Sequence, residues 1–260
     1  ALGHGGLVWL LVLLVGTEGA WRLEGVGGVG SSWPLLGWAM VIVATIGLGL
    51  HGGKLLVWPL GHHADAYRRW GLRPVVALAV LGTLYANATS SGDAGALPYV
   101  PLVNPVDIGQ LGVFLAMWVW LQASRHELTG DHRVATRVGL GVLLVVWLSA
   151  AVARTVHHFG GVAFRWDALL ASMTLQASWS VVWTLAALLV MWRASRMQLR
   201  GLWGGGAVLL GVVVLKLLIV DLSHGRTVAR IVSFMVVGLL LLVTGYLSPL
   251  PPKARTEERT

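Results

Sequence analysis

The run VGLGVLLVVWLSAAVARTV, residues 138–156, carries a single charge, Arg154, and reads as a helix that crosses a bilayer. A hydrocarbon core roughly 30 Å thick takes about 20 predominantly apolar residues in helical form. Similar runs recur on both sides of this one. Toward the amino terminus they lie near 108–121, 74–87, 34–50 and 7–21, and toward the carboxyl terminus near 168–191, 202–220 and 228–247. The expected fold class is therefore all-α, a polytopic transmembrane helical bundle of about eight spans. It fills residues 1–260 as a single domain, with no room for a separate soluble one.

Composition agrees. The chain is 56% hydrophobic and 12% charged, whereas soluble domains carry roughly a quarter charged residues. With no cysteine, disulfides, thiolate metal sites and cysteine nucleophiles are excluded. The segment Lys54 to Trp70 mixes Leu55, Leu56 and Trp58 with His62, His63, Arg68 and Arg69, as an interfacial segment does. The first apolar run follows Ala1 without a basic n-region or a cleavage site, so the chain reads as a fragment or processed product and the run is not expected to be a signal peptide.

Orientation follows from the basic residues. Placing the carboxyl terminus inside puts thirteen of the 19 Lys and Arg at cytoplasmic ends, among them Arg73, Arg125, Arg133, Arg137, Arg193, Arg196 and Arg200. Cytoplasmic loops of membrane proteins carry that excess, so both termini are expected in the cytoplasm. The other ends balance Arg22, Arg154, Arg165, Lys216, Arg226 and Arg230 against six acidic residues. The pI of about 10.8 thus reports orientation and attraction to anionic membrane lipids. Nucleic acid is not expected as a partner.

Chemistry is expected at the outer ends of spans five to eight, where Arg154, His157, His158, Arg165, Asp167, Lys216, Asp221, His224, Arg226 and Arg230 gather. Charges near hydrocarbon are costly unless paired or hydrated, and so mark sites. Lys and Arg can instead snorkel to the interface. Asp221 can clamp Arg226 or Arg230, or the two guanidiniums can receive a carboxylate or phosphate. On span six, Ser172, Gln176, Trp179, Ser180 and Trp183 form a stripe at spacings of three and four. Such stripes join helices by hydrogen bonds, or line a groove in which Trp faces stack on a sugar ring and Gln176 orients it.

Asp167, at the head of that span, is a cap or a general base. His158 is an acid or base by virtue of its near-neutral ordinary pKa. Adjacent His157 and His158 point about 100° apart on a helix and do not form a ligand pair. No metal or cofactor motif is present. The loop Leu97 to Asp107 is too proline-rich for a helix and too apolar for a solvated linker. Asn104 or Asp107 can cap span four, or with Gln110 present hydrogen bonds over the outer cleft. The Gly201 to Gly206 stretch opens a membrane helix and suits close helix packing.

Two segments carry a family resemblance. One is Leu97-Pro98-Tyr99-Val100-Pro101-Leu102-Val103-Asn104-Pro105-Val106-Asp107. The other runs from Gln176 through Trp203, Lys216, Asp221 and Arg230 to Pro252, with Lys216-Leu217-Leu218-Ile219-Val220-Asp221-Leu222-Ser223 and Gly245-Tyr246-Leu247-Ser248-Pro249-Leu250-Pro251-Pro252 in order. Together, over roughly the last two thirds of the chain, they resemble the bacterial predicted membrane proteins of the domain of unknown function 2339 family. The resemblance implies an inner-membrane location, and that this chain is the carboxyl-terminal portion of a longer protein. It assigns no catalytic residue.

The leading expectation is an outer cleft that handles an envelope glycan, lipid-linked intermediate or anionic metabolite. His158, Asp167 and Asp221 would be the acid or base, and Arg154, Arg165, Gln176, Trp179, Lys216, Arg226, Arg230, Asn104 and Asp107 would bind the substrate. The same residues could line a transport pathway, or lock the helices of an assembly subunit whose partners are an amino-terminal region or other membrane proteins.

Overall fold

A computed structural model of the chain describes residues 2–55, 70–217, 219, 238 and 242. Its described elements are helices: α1 (Leu2–Gly27), α2 (Trp33–Leu55), α3 (Leu72–Thr89), α4 (Pro105–Ala123), α5 (Gly130–Gly160), α6 (Trp166–Ala171), α7 (Met173–Arg196) and α8 (Arg200–Lys216). Six of them contain stretches long and apolar enough to cross a membrane: Gly6–Gly27, Trp33–Gly52, Leu72–Thr89, Pro105–Ala123, Gly130–Gly160 and Met173–Arg196. The chain is thus an all-α, polytopic membrane bundle. The expected span near 228–247, and residues 56–69 of the expected interfacial segment, lie outside the described residues.

The helices begin and end where local chemistry dictates. The Asn104 side chain accepts the Asp107 N–H at 3.0 Å, and Pro105 follows at the first helical position of α4, where its missing donor is harmless. Gly161, at φ +66, closes α5 in the left-handed conformation that glycine tolerates best. The span expected near 168–191 is divided: Ser172 turns extended and accepts the Leu175 N–H at 3.3 Å, which separates α6 from α7. Helix α1 outruns its expected end, and Arg22 and Glu18 pair at 2.7 Å on its surface there. Helix α2 continues through His51-Gly52-Gly53 to Leu55.

The chain divides into two compact units, residues 1–171 and 172–260. In the first, α2 packs on α1, α3 and α4, while α5 packs on α3 and α4. Ile42, Ile46, Leu72, Val75, Val113, Phe114, Met117 and Leu143 form the core. A Cβ at Gly37 would stand 2.9 Å from backbone atoms of Gly19 and Ala20, so α1 and α2 touch main chain to main chain there. In the second unit α7 packs on α8 around Ala187, Met191 and Leu210. Of the glycines in the 201–206 stretch only Gly206 meets the partner helix: a Cβ there would stand 2.6 Å from Met191 Cγ. Leu10, Leu14, Leu115, Leu185 and Leu189 face outward, as a lipid solvent requires.

Candidate functional site

Among the described residues the most deeply enclosed polar groups lie in the first unit, at the end where the 90–104 loop runs. Arg154 of α5 donates through one terminal nitrogen to Asp107 Oδ1 of α4 at 2.6 Å, and neither side chain has any exposure. Trp147 Nε1, two turns earlier on α5, donates to the same oxygen at 2.8 Å. Asn104 Nδ2 donates to Oδ2. Asn87 of α3 and Gln110 of α4 exchange amide hydrogen bonds at 3.0 Å in both directions. The Asn87 oxygen also accepts from both terminal nitrogens of Arg154, at 3.3 and 3.4 Å.

Three helices and one loop thus converge on one positive and one negative charge. Bringing either charge alone to the bilayer centre costs about 2.5–3.5 kcal/mol on insertion scales. Paired and hydrogen-bonded, each offsets part of the other's desolvation cost, and together they fix the mutual register of α3, α4 and α5. The Asp107 carboxylate accepts from three donors and the Arg154 fork is engaged end-on, so this arrangement is a lock rather than a base waiting for a proton.

The loop covers the lock. Gly92, at φ +77, passes so close that a Cβ would stand 2.8 Å from Arg154 Cδ. Ser32 N–H donates to Asp93 O at 2.8 Å and Trp33 Nε1 to Ala94 O at 3.1 Å, tying the loop to the head of α2. The Tyr99 ring stacks on His158 at 4.0 Å, and its hydroxyl lies 3.3 Å from the Thr155 hydroxyl. His158 Nε2 donates to Ser91 O at 3.0 Å and His157 Nδ1 to Val162 O at 2.6 Å. The two imidazoles therefore serve different carbonyls.

Burial raises the Tyr99 pKa above its ordinary 10.0, against the lowering effect of the Thr155 hydrogen bond. Because the folded value is the raised one, the stability this contributes is full below about pH 10 and is lost as pH rises through the folded pKa. In an alkaline absorbance titration, Tyr99→Phe is expected to remove a phenolate transition that lies above the ordinary tyrosine value; if the curve keeps that transition, the late titration belongs to another residue.

Arg165 and Asp167 pair through two contacts, 3.2 and 2.9 Å, but are 74% and 67% exposed. An ion pair so exposed contributes about 0–1 kcal/mol. In the second unit Lys216 Nζ, at the end of α8, donates to Gln176 O and Ser180 Oγ on α7, each at 2.8 Å. On the same stripe Trp179 and Trp183 stack with centroids 5.9 Å apart. The structure thus joins Arg154, Asp107 and Asn104 in one unit and Lys216, Gln176 and Trp179 in the other. Asp221, His224, Arg226 and Arg230 lie outside the described residues.

Sequence reading missed Asn87 and Trp147. Asn87 was detectable as an amide inside an apolar run, since such groups seek partners across helices. Trp147 had no signal beyond two turns' distance from Arg154.

Six long apolar helices with outward-facing leucines around a buried, hydrogen-bonded ion pair define a multi-pass helical membrane protein. The chain belongs to the predicted membrane protein family DUF2339, whose model matches residues 1–251, so the match includes the first helices as well as the segments that carry the resemblance. No curated protein and no solved structure matches the chain.

Proposed function

We propose that this chain is a bacterial inner-membrane protein, spanning about eight times with both termini in the cytoplasm, that binds an anionic lipid-linked intermediate of the cell envelope at its outer end. The placement of Lys216 supports the reading: its ammonium joins the α7 stripe that carries stacked Trp179 and Trp183. An ammonium there attracts a phosphate or carboxylate, while indole faces cover polyprenyl or sugar carbons. In this reading Gln176, on the same stripe as Trp179 and Trp183, orients the ligand. Arg154, Asp107 and Asn104 hold the helices of the first unit together.

The purified chain in nanodiscs is expected to retain a polyprenyl phosphate over the uncharged polyprenol. Loss of a charge-assisted hydrogen bond in Lys216→Met is expected to lower that retention about tenfold, with Lys216→Arg close to wild type. Equal retention by Lys216→Met and wild type would sink the reading. A second reading, an assembly subunit, is favoured by the complete burial of Arg154 and Asp107, which commits those charges to holding helices together.

A further inference from the structure

We propose that the turn over residues 100–103, at the tip of the loop between α3 and α4, is an anchor that seats in the lipid leaflet on its side of the membrane. The backbone there is strained. Val103 N–H donates to Val100 O at 3.1 Å, closing a β-turn with Pro101 at its second position and Leu102 at its third. Leu102 has φ +64. A turn with proline second and a positive φ third ordinarily takes glycine or asparagine there, the residues that tolerate the left-handed conformation. Leucine is held in it at a cost, and 45% of that leucine is exposed, so packing within the chain does not account for its presence. The flanks are fixed: Tyr99 stacks on His158 at 4.0 Å, and the buried Asn104 caps α4. The turn between them therefore presents its apolar side chains outward.

Position and composition select lipid as the occupant. Both α3 and α4 cross the membrane, so the loop that joins Thr89 to Pro105 lies at one membrane face. Exposed apolar rows climb both helices toward it, Leu81 and Tyr85 on α3 and Leu115, Leu111 and Ile108 on α4, at spacings of three and four. Leu97, Val100 and Val103, all exposed, carry apolar surface past the helix ends. No Asp, Glu, Lys, Arg or His occurs between Asp93 and Asp107. A protein interface rings its apolar centre with polar groups, and this tip has no charged rim to offer one. Irregular backbone does not enter the hydrocarbon core, because its donors go unpaired there. Pro98 and Pro101 bring no N–H and that of Val103 is already taken, so the turn suits the boundary between headgroups and acyl chains.

The chain has no cysteine, so single-cysteine variants of the full chain each carry one fluorophore. Val103→Cys, labelled with nitrobenzoxadiazole in phosphatidylcholine nanodiscs, is expected to be quenched by a nitroxide on the lipid acyl chain and protected from aqueous iodide. Leu115→Cys, midway along α4, is expected to behave alike, and Asp131→Cys, in the charged connector, to show the reverse. Leu102→Asn accepts the left-handed backbone. Added to Val103→Cys, it is expected to lower the ratio of lipid to iodide quenching about fivefold, the effect of returning a half-exposed leucine side chain to water. Leu102→Met is expected to leave that ratio unchanged. Iodide quenching of Val103→Cys at the level of Asp131→Cys overturns the proposal. So does protection from both quenchers, which would mean that protein, a second copy of the chain included, covers the turn. A ratio that Leu102→Asn leaves unmoved overturns it as well. Should Val103→Cys fail to fold, Val100→Cys reports from the other end of the same turn.

Discussion

Asp107→Asn is expected to unfold much of the first unit. The substitution leaves Arg154 charged and fully buried, with its counter-charge replaced by an amide. Removing one partner of a buried pair costs about 3–5 kcal/mol, because the survivor is left desolvated and uncompensated. Arg154→Met alone is expected to cost less, since Trp147 and Asn104 still donate to the carboxylate. The double variant removes both charges and is expected to be more stable than Asp107→Asn. Thermal unfolding in detergent reads the order. Strictly additive losses would mean that the two residues act independently, and the lock would then be the wrong description. Near-normal stability of Asp107→Asn would also remove the support for the assembly reading.

Gly95→Ala is expected to have an effect of similar size by a different route. Gly95 has φ +70, a conformation that costs L residues roughly 1–2 kcal/mol. A Cβ there would also stand 2.0 Å from the Gly27 carbonyl oxygen, a backbone atom at the end of α1. Either the loop or the α1 terminus must shift, and the Ser32 and Trp33 hydrogen bonds to Asp93 and Ala94 shift with it. A total loss on the order of 3 kcal/mol is expected from strain and lost hydrogen bonds together. Gly82→Ala is the matched control: nothing lies within 4 Å of the added carbon, and alanine is the better helix former by about 0.5–1 kcal/mol. Equal stability of the two variants would show that the loop does not press on α1.

The helices were legible in the sequence because lipid imposes one rule on every exposed face, and runs of about 20 apolar residues have few other uses. Their ends were less so. Ser172, read as part of a polar stripe, divides a helix because its hydroxyl competes locally for a backbone N–H. The Asn104 cap was readable, since asparagine followed by proline at a helix head is a local pattern. The Arg154 to Asp107 pair was not, although both residues had been singled out. Charges 47 residues apart on different helices can be matched only once the packing of those helices is known. Asn87 was passed over for the same reason, its partners Gln110 and Arg154 lying on two other helices.

That separation along the chain also sets an order of events in time. Asp107 leaves the ribosome 47 residues before Arg154, an interval of a few seconds at about 5–20 residues per second. During it, α4 must enter the membrane with its acid cared for only by neighbours already made, Asn104 among them. The amide that caps the helix therefore also chaperones its charge until α5 arrives. A chain stalled short of Arg154 should hold α4 less firmly in the bilayer than one stalled a full helix later.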